Sequence, residues 1–300
     1  MEYLPTILLA TSGGLLARWY MLRRDYRQYP SYPQGWAIHL FIGFIGALLG
    51  AIIVPSFIEQ EFAAVSFVLL AASQFREVRN VERSTLENME ALELVPRGGA
   101  YIEGIARVFE ARNYLAIWTA LVIAILSELL AYNLGFRIVG SIAVGMGTAA
   151  MLNRWMRGDS IGNIGQVELV TVDFDGPLLV VGGVVMMNVG LPSVREVYLE
   201  RALGAQIMPK DPNAKATLAN IGQMQAIAHD VSSMVGVYMD VGEQEFTPLV
   251  RRDPDSGKLV LVMVPAHHNR DAFLEAISSV PVLEGAIRKP LLSTAGKMVE

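Results

Sequence analysis

The chain has no cysteine anywhere in its 300 residues. That absence excludes a disulfide scaffold, a thiolate metal site and a cysteine nucleophile together. Charge is scarce as well: Asp, Glu, Lys and Arg make up 18% of the chain, against about 25% in a typical soluble domain. There is no basic excess, since the net charge is -5, so the electrostatic footprint of a nucleic-acid binder is missing. What remains is apolar: 53% of the residues are hydrophobic and the mean hydropathy is +0.39. Intrinsic disorder requires the opposite balance.

Lysine is missing altogether from residues 1–157, which carry 13 arginines and 12 acids for a net of +1. Residues 158–300 carry 11 Lys and Arg against 17 acids, for a net of -6. Apolar runs are long in the first part and short in the second. This divide predicts an α-helical membrane domain of about five spans over 1–157, followed by a soluble α/β domain over 158–300. The predicted spans are Tyr3–Tyr20, Trp36–Phe57, Phe62–Phe75, Tyr114–Leu134 and Ile138–Leu152. Roughly 20 apolar residues are needed to fill a hydrocarbon core of about 30 Å, and the third run, with 14 residues, has the length of a re-entrant segment.

With five spans the arginines fall on one side: Arg18, Arg23, Arg24 and Arg27, the six of segment 76–113, then Arg154 and Arg157. Cytoplasmic loops are enriched in Lys and Arg. The expected topology therefore has the N-terminus outside the cell membrane and the C-terminal domain in the cytoplasm. Gly43, Gly46 and Gly50 share one helix face, as small residues do where helices approach closely in lipid. Glu128 lies inside a predicted span, where an inserted carboxylate costs roughly 2.5–3.5 kcal/mol and calls for a polar partner or water.

The cytoplasmic loop 76–113 carries helical periodicity, and after Pro96-Arg97-Gly98-Gly99 an amphipathic helix is predicted to lie along the membrane surface. Its first residues, Tyr101, Ile102, Glu103, Gly104, Ile105 and Ala106, spell YIEGIA. The chain thereby resembles the YIEGIA family of membrane proteins, in the motif, in its place just before a span, and in a multi-span half followed by a soluble tail. The resemblance implies a protein of endospore-forming bacteria linked to sporulation, and it brings no catalytic residues.

In the second half, valine-rich runs at 166–173 and 178–187 predict strands, residues 193–205 and 215–230 helices, and 235–241, 246–252 and 258–264 further strands. A helix near 269–279 and a strand near 283–288 complete a mixed sheet of ferredoxin-like type. The string Thr171-Val172-Asp173-Phe174-Asp175-Gly176-Pro177 resembles the first motif of haloacid-dehalogenase-like phosphatases. Pro177 replaces their threonine, and no Gly-Asp-x-x-x-Asp follows, which favours a β-turn. The arrangement of spans and tail also resembles the membrane-bound aspartic protease that processes a sporulation sigma factor, but Asp-Ser/Thr-Gly is absent. Asp173, Asp175 and Asp240 are the carboxylates that could substitute. His267-His268 precede Asn269 as a helix start, and His229-Asp230 end a predicted helix. No metal or cofactor is expected. The expected partners are the lipid bilayer and a cytoplasmic protein, the expected role is regulatory or scaffolding, and the alternative is a membrane-tethered protease acting on a sporulation regulator.

Overall fold

A computed structural model describes residues 3–25, 33–155, 158–240, 243–244 and 246–298. Arg27 and Arg157 lie outside these residues, as do the side chains of Arg24 and Asp240. The chain falls into two compact units, one of residues 1–84 and 105–157, the other of residues 85–104 and 158–300.

The first unit is helical: α1 (Leu4–Asp25), α2 (Pro33–Ile58), α3 (Phe62–Ser73), α4 (Phe75–Met89), α5 (Gly99–Leu129) and α6 (Leu134–Trp155). The end of α4 and the start of α5 belong to the other unit. Among the described residues only Gly35–Ile58 and Gly99–Leu129 are long and apolar enough to cross a membrane. This overturns the expected membrane domain of about five spans. The 12 residues of α3 extend about 18 Å at 1.5 Å per residue, short of the roughly 30 Å required. In α1 the apolar run is cut by Arg18, Arg23 and Arg24, and in α6 it is confined to Leu134–Thr148.

Small residues make the helix contacts. Ala10, Ala47, Ala51, Ala120 and Ala124 surround Ile123 in a buried cluster. A Cβ on Gly14 would sit 2.7 Å from the Ala47 methyl and 2.9 Å from the Ala116 carbonyl oxygen, and one on Gly50 would overlap the carbonyl oxygen of Ile117. Gly50→Val therefore forces α2 away from α5. It should cost about 1–3 kcal/mol as an overpacked core substitution, read as a lower thermal midpoint of the full chain in detergent, whereas an unchanged midpoint would contradict the close approach.

The second unit is a three-layer α/β sandwich. Its elements are α7 (Ile161–Ile164), β1 (Gly165–Val170), β2 (Val172–Asp175), β3 (Leu178–Val181), β4 (Val184–Asn188), α8 (Pro192–Arg201), β5 (Leu203–Pro209), α9 (Pro212–Leu218), α10 (Ile221–Val235), β6 (Met239–Asp240), β7 (Glu243–Gln244), β8 (Leu249–Arg252), β9 (Leu259–Met263) and α11 (Arg270–Ser279). The main sheet runs β1-β5-β9-β8, a second runs β2-β3-β4, and β6 pairs with β7. Every named strand pair is antiparallel, which corrects the expected mixed sheet, and the order β1-β5-β9-β8 puts the first strand at the edge, where a ferredoxin-like sheet has it inside.

Strand β9, Leu-Val-Leu-Val-Met, is buried at all five positions. Side chains alternate across a strand, so Leu259, Leu261 and Met263 join the cluster with Ile227, Val231, Phe273 and Ile277 of the helices. Val260 and Val262 join Leu179, Val181, Met186, Tyr198 and Phe246 on the other face. The predicted strand 178–187 is a hairpin instead. Gly182 and Gly183 have φ of 54° and 81°, the left-handed pair that a two-residue hairpin turn demands. The predicted helix 193–205 stops at Arg201, and Leu203–Pro209 forms the inner strand β5. Arg251 donates to the carbonyls of Val185 at 2.6 Å and Met186 at 3.1 Å, covering the open edge of β4.

Candidate functional site

The motif residues lie on the first two turns of α5, and the segment before them is built to hold that helix start in the second unit. After a 3-10 turn at Glu90–Leu92, the Glu90 carboxylate accepts from the backbone N–H of Arg97 at 2.9 Å and of Gly98 at 3.0 Å. Arg97 pairs with Glu93 at 2.7 Å. Gly98 turns the chain with φ of 83° and passes so close to Gln225 that a Cβ there would lie 2.5 Å from the amide carbon. Gln225 in turn accepts from the Tyr101 backbone N–H at 3.0 Å. The Tyr101 hydroxyl donates to Asp230 at 3.0 Å, with the tyrosine 1% exposed.

His229 completes this latch. Its Nδ1 lies 2.7 Å from the Val95 carbonyl oxygen. A carbonyl can only accept, so Nδ1 carries the proton. Burial pushes the imidazole below its ordinary pKa of 6.5, opposed by the hydrogen bond to Val95 and supplemented by the nearby Arg97. The sign follows from linkage. Below pH 6.5 the unfolded chain takes up a proton that the folded latch resists, so the His229 contribution is intact above that pH and is lost as pH falls toward the depressed value. Thermal midpoints of the full chain should decline below pH 6.5, and His229→Gln should flatten that slope; an equal slope in the variant would refute the assignment.

Of the motif, Tyr101, Ile102, Ile105 and Ala106 are buried, while Glu103 and Gly104 are partly exposed. Gly104 leaves ordinary space, since the nearest atom to a Cβ there would be a Leu283 methyl at 3.8 Å. Tyr101, His229 and Asp230 are all buried, so this part of the motif packs and hydrogen-bonds in the interior of the second unit. Sequence inspection placed His229-Asp230 at a helix end, but they lie within α10 on the same buried face as Gln223 and Ala226. Their pairing with Tyr101 joins segments 129 residues apart and carries no local signal in the sequence.

The other candidates lie on separate elements: strand β2, strand β6 and the approach to α11. Asp173 and Asp175 point outward from the edge strand β2, and the Asp173 carboxylate accepts from the next backbone N–H at 2.7 Å. The chain then turns at Gly176, φ 58°, into β3. Asp240 lies in β6, with its side chain outside the described residues. His267 and His268 are exposed before α11, whose cap is Asn269 accepting from Ala272 N–H at 3.0 Å. Among the described residues no three His, Asp or Glu side chains gather as a metal site. A cleft of about 420 Å³ in this unit is lined by Thr171, Glu200, His268 and Arg270 beside apolar residues of β1 and β5.

Glu128, in the helical unit, has a specific partner. Arg137, across the turn between α5 and α6, donates to its carboxylate at 2.7 Å and to Ser127 Oγ at 2.7 Å. Thr6 hydrogen-bonds to Glu128, Arg137 and Ser127, and both Thr6 and Ser127 are fully buried. A second polar group surrounds Arg18, which is 0% exposed and lies 5.3 Å over the Phe109 ring. Near it His39 and Glu82 are 3.9 Å apart. Burial raises the Glu82 carboxyl to about 7, against the pull of Arg18.

A family model described as "YIEGIA protein" matches residues 6–293. YphB of Bacillus subtilis (strain 168), described as uncharacterized, is 43% identical over 289 residues, covering 96% of this chain and 95% of that one. No solved structure matches the chain significantly.

Proposed function

The chain belongs to the YIEGIA family, and from that premise we propose that it is a sporulation-associated integral membrane protein acting as a regulator or scaffold through its α/β unit. One observation carries this proposal. The helix held at its start by Tyr101, Gln225 and Asp230 is the same helix that is apolar and long enough to cross a membrane. A partner bound to the α/β unit would therefore act on the root of a membrane helix. Residues 85–104 and 158–300 form one unit, so on this reading they share a side of the bilayer, with the shorter apolar helix Leu134–Thr148 as the return path. The six arginines of segment 76–113 favour a cytoplasmic side for the α/β unit, and a single crossing by Gly35–Ile58 then leaves the N-terminus outside.

The lack of cysteine makes the test direct. Leu4→Cys should react with a membrane-impermeant maleimide in intact cells, and Lys297→Cys only after permeabilisation. Labelling of Lys297→Cys in intact cells, or release of the chain by alkaline carbonate, would overturn the placement. Deleting the gene should impair sporulation, and a copy carrying Asp173→Ala and Asp175→Ala should restore it fully. Failure of that copy at normal protein level would favour the protease.

A further inference from the structure

A groove of about 320 Å³ runs between α1 and α6, walled by Leu9, Leu16, Trp19, Ile142 and Met146. Among the described residues no acidic or basic side chain lines it. Ser141 does; the residue is 4% exposed and its buried hydroxyl has no hydrogen-bond partner among the described residues. A buried polar group without a partner is uncommon and points to a missing acceptor or donor. At the Trp19 end a cation is fixed, because the Arg23 guanidinium stacks 3.9 Å from the Trp19 ring centroid. The outer flanks on both helices are exposed and apolar: Leu8, Leu16, Val139, Ile142 and Met146 are each more than half exposed.

An apolar slot, one unsatisfied hydroxyl inside it and a cation at one end match one ligand chemistry. We propose that the α1/α6 groove binds a membrane phospholipid with an anionic headgroup, its acyl chain along Leu16, Ile142 and Met146, its ester carbonyl accepting from Ser141, and its phosphate beside Arg23. This inference rests on the membrane placement proposed above. The glycine at 145 keeps the slot open, since a Cβ there would meet only the Ile123 methyl, at 3.7 Å. Gly145 lines the groove, so a larger side chain there takes up its space.

The test is native mass spectrometry of the full chain in detergent, titrated separately with phosphatidylglycerol and phosphatidylcholine. The wild-type chain should favour phosphatidylglycerol by about fivefold, the effect of one cation worth roughly 1 kcal/mol near a membrane surface. Arg23→Gln should erase that preference, and Gly145→Phe should weaken phosphatidylglycerol binding about tenfold or more, the equivalent of 1.4 kcal/mol. Ser141→Ala, which leaves packing intact, should weaken both lipids alike. Equal binding of the two lipids by the wild-type chain, or unchanged binding by Arg23→Gln and Ser141→Ala, would reduce the groove to a surface for bulk lipid and overturn the proposal. A chain that leaves the membrane without detergent would overturn the membrane placement instead.

Discussion

Replacing Arg137 with methionine is expected to destabilise the helical unit by about 3–5 kcal/mol, because breaking a buried ion pair leaves a charge behind without compensation. The guanidinium is 7% exposed and serves Glu128, Ser127 and Thr6 together, so its loss removes donors from three groups at once. The methionine keeps most of the volume, which separates the electrostatic loss from a cavity. The measurement is a double-mutant cycle on thermal or denaturant stability. Glu128→Gln in the Arg137→Met background should recover part of the loss, since the stranded carboxylate is gone. Additive losses in the double variant would show that the two side chains do not act as a pair.

Tyr101→Ala should cost about 3–5 kcal/mol in the α/β unit, the usual range for removing a large buried aromatic side chain. Tyr101→Phe should cost about 1.5–3 kcal/mol, the net worth of one hydrogen bond to a charged acceptor. The two variants differ in meaning. The alanine opens a void beside His229, whose ring lies 6.1 Å from the tyrosine ring centroid, whereas the phenylalanine removes only the hydroxyl that serves Asp230. If the motif is a latch between a membrane helix and the α/β unit, Tyr101→Phe should raise amide exchange in residues 85–104 while leaving exchange in β5 and β9 unchanged. Equal rises throughout would indicate general unfolding and no local latch.

Two kinds of signal run along this chain. Where structure follows from neighbouring residues, the sequence was legible: Asn269 caps α11 through its own side chain, Asp175-Gly176 turns the chain, and the valine-rich runs are strands. Where a local signal had two outcomes, packing chose. Gly182-Gly183 could interrupt a strand or reverse it, and Leu203–Pro209 could extend a helix or form the strand that fills the sheet between β1 and β9. The third apolar run is already short in the sequence, at 14 residues, and the 12-residue α3 is shorter still.

By itself the sequence determined the opening division: no cysteine, lysine confined to the second part, an apolar arginine-bearing first part and an acidic α/β remainder. These are sums over neighbouring residues and need no fold to evaluate. The tertiary structure decided that residues 85–104 belong with the α/β unit, that Glu128 answers Arg137, and that the family motif is an anchor closed by Asp230. Tyr101 and Asp230 are 129 residues apart. Contacts over such separations leave no periodicity in either segment, because each side chain satisfies its chemistry only when folding brings the other to it.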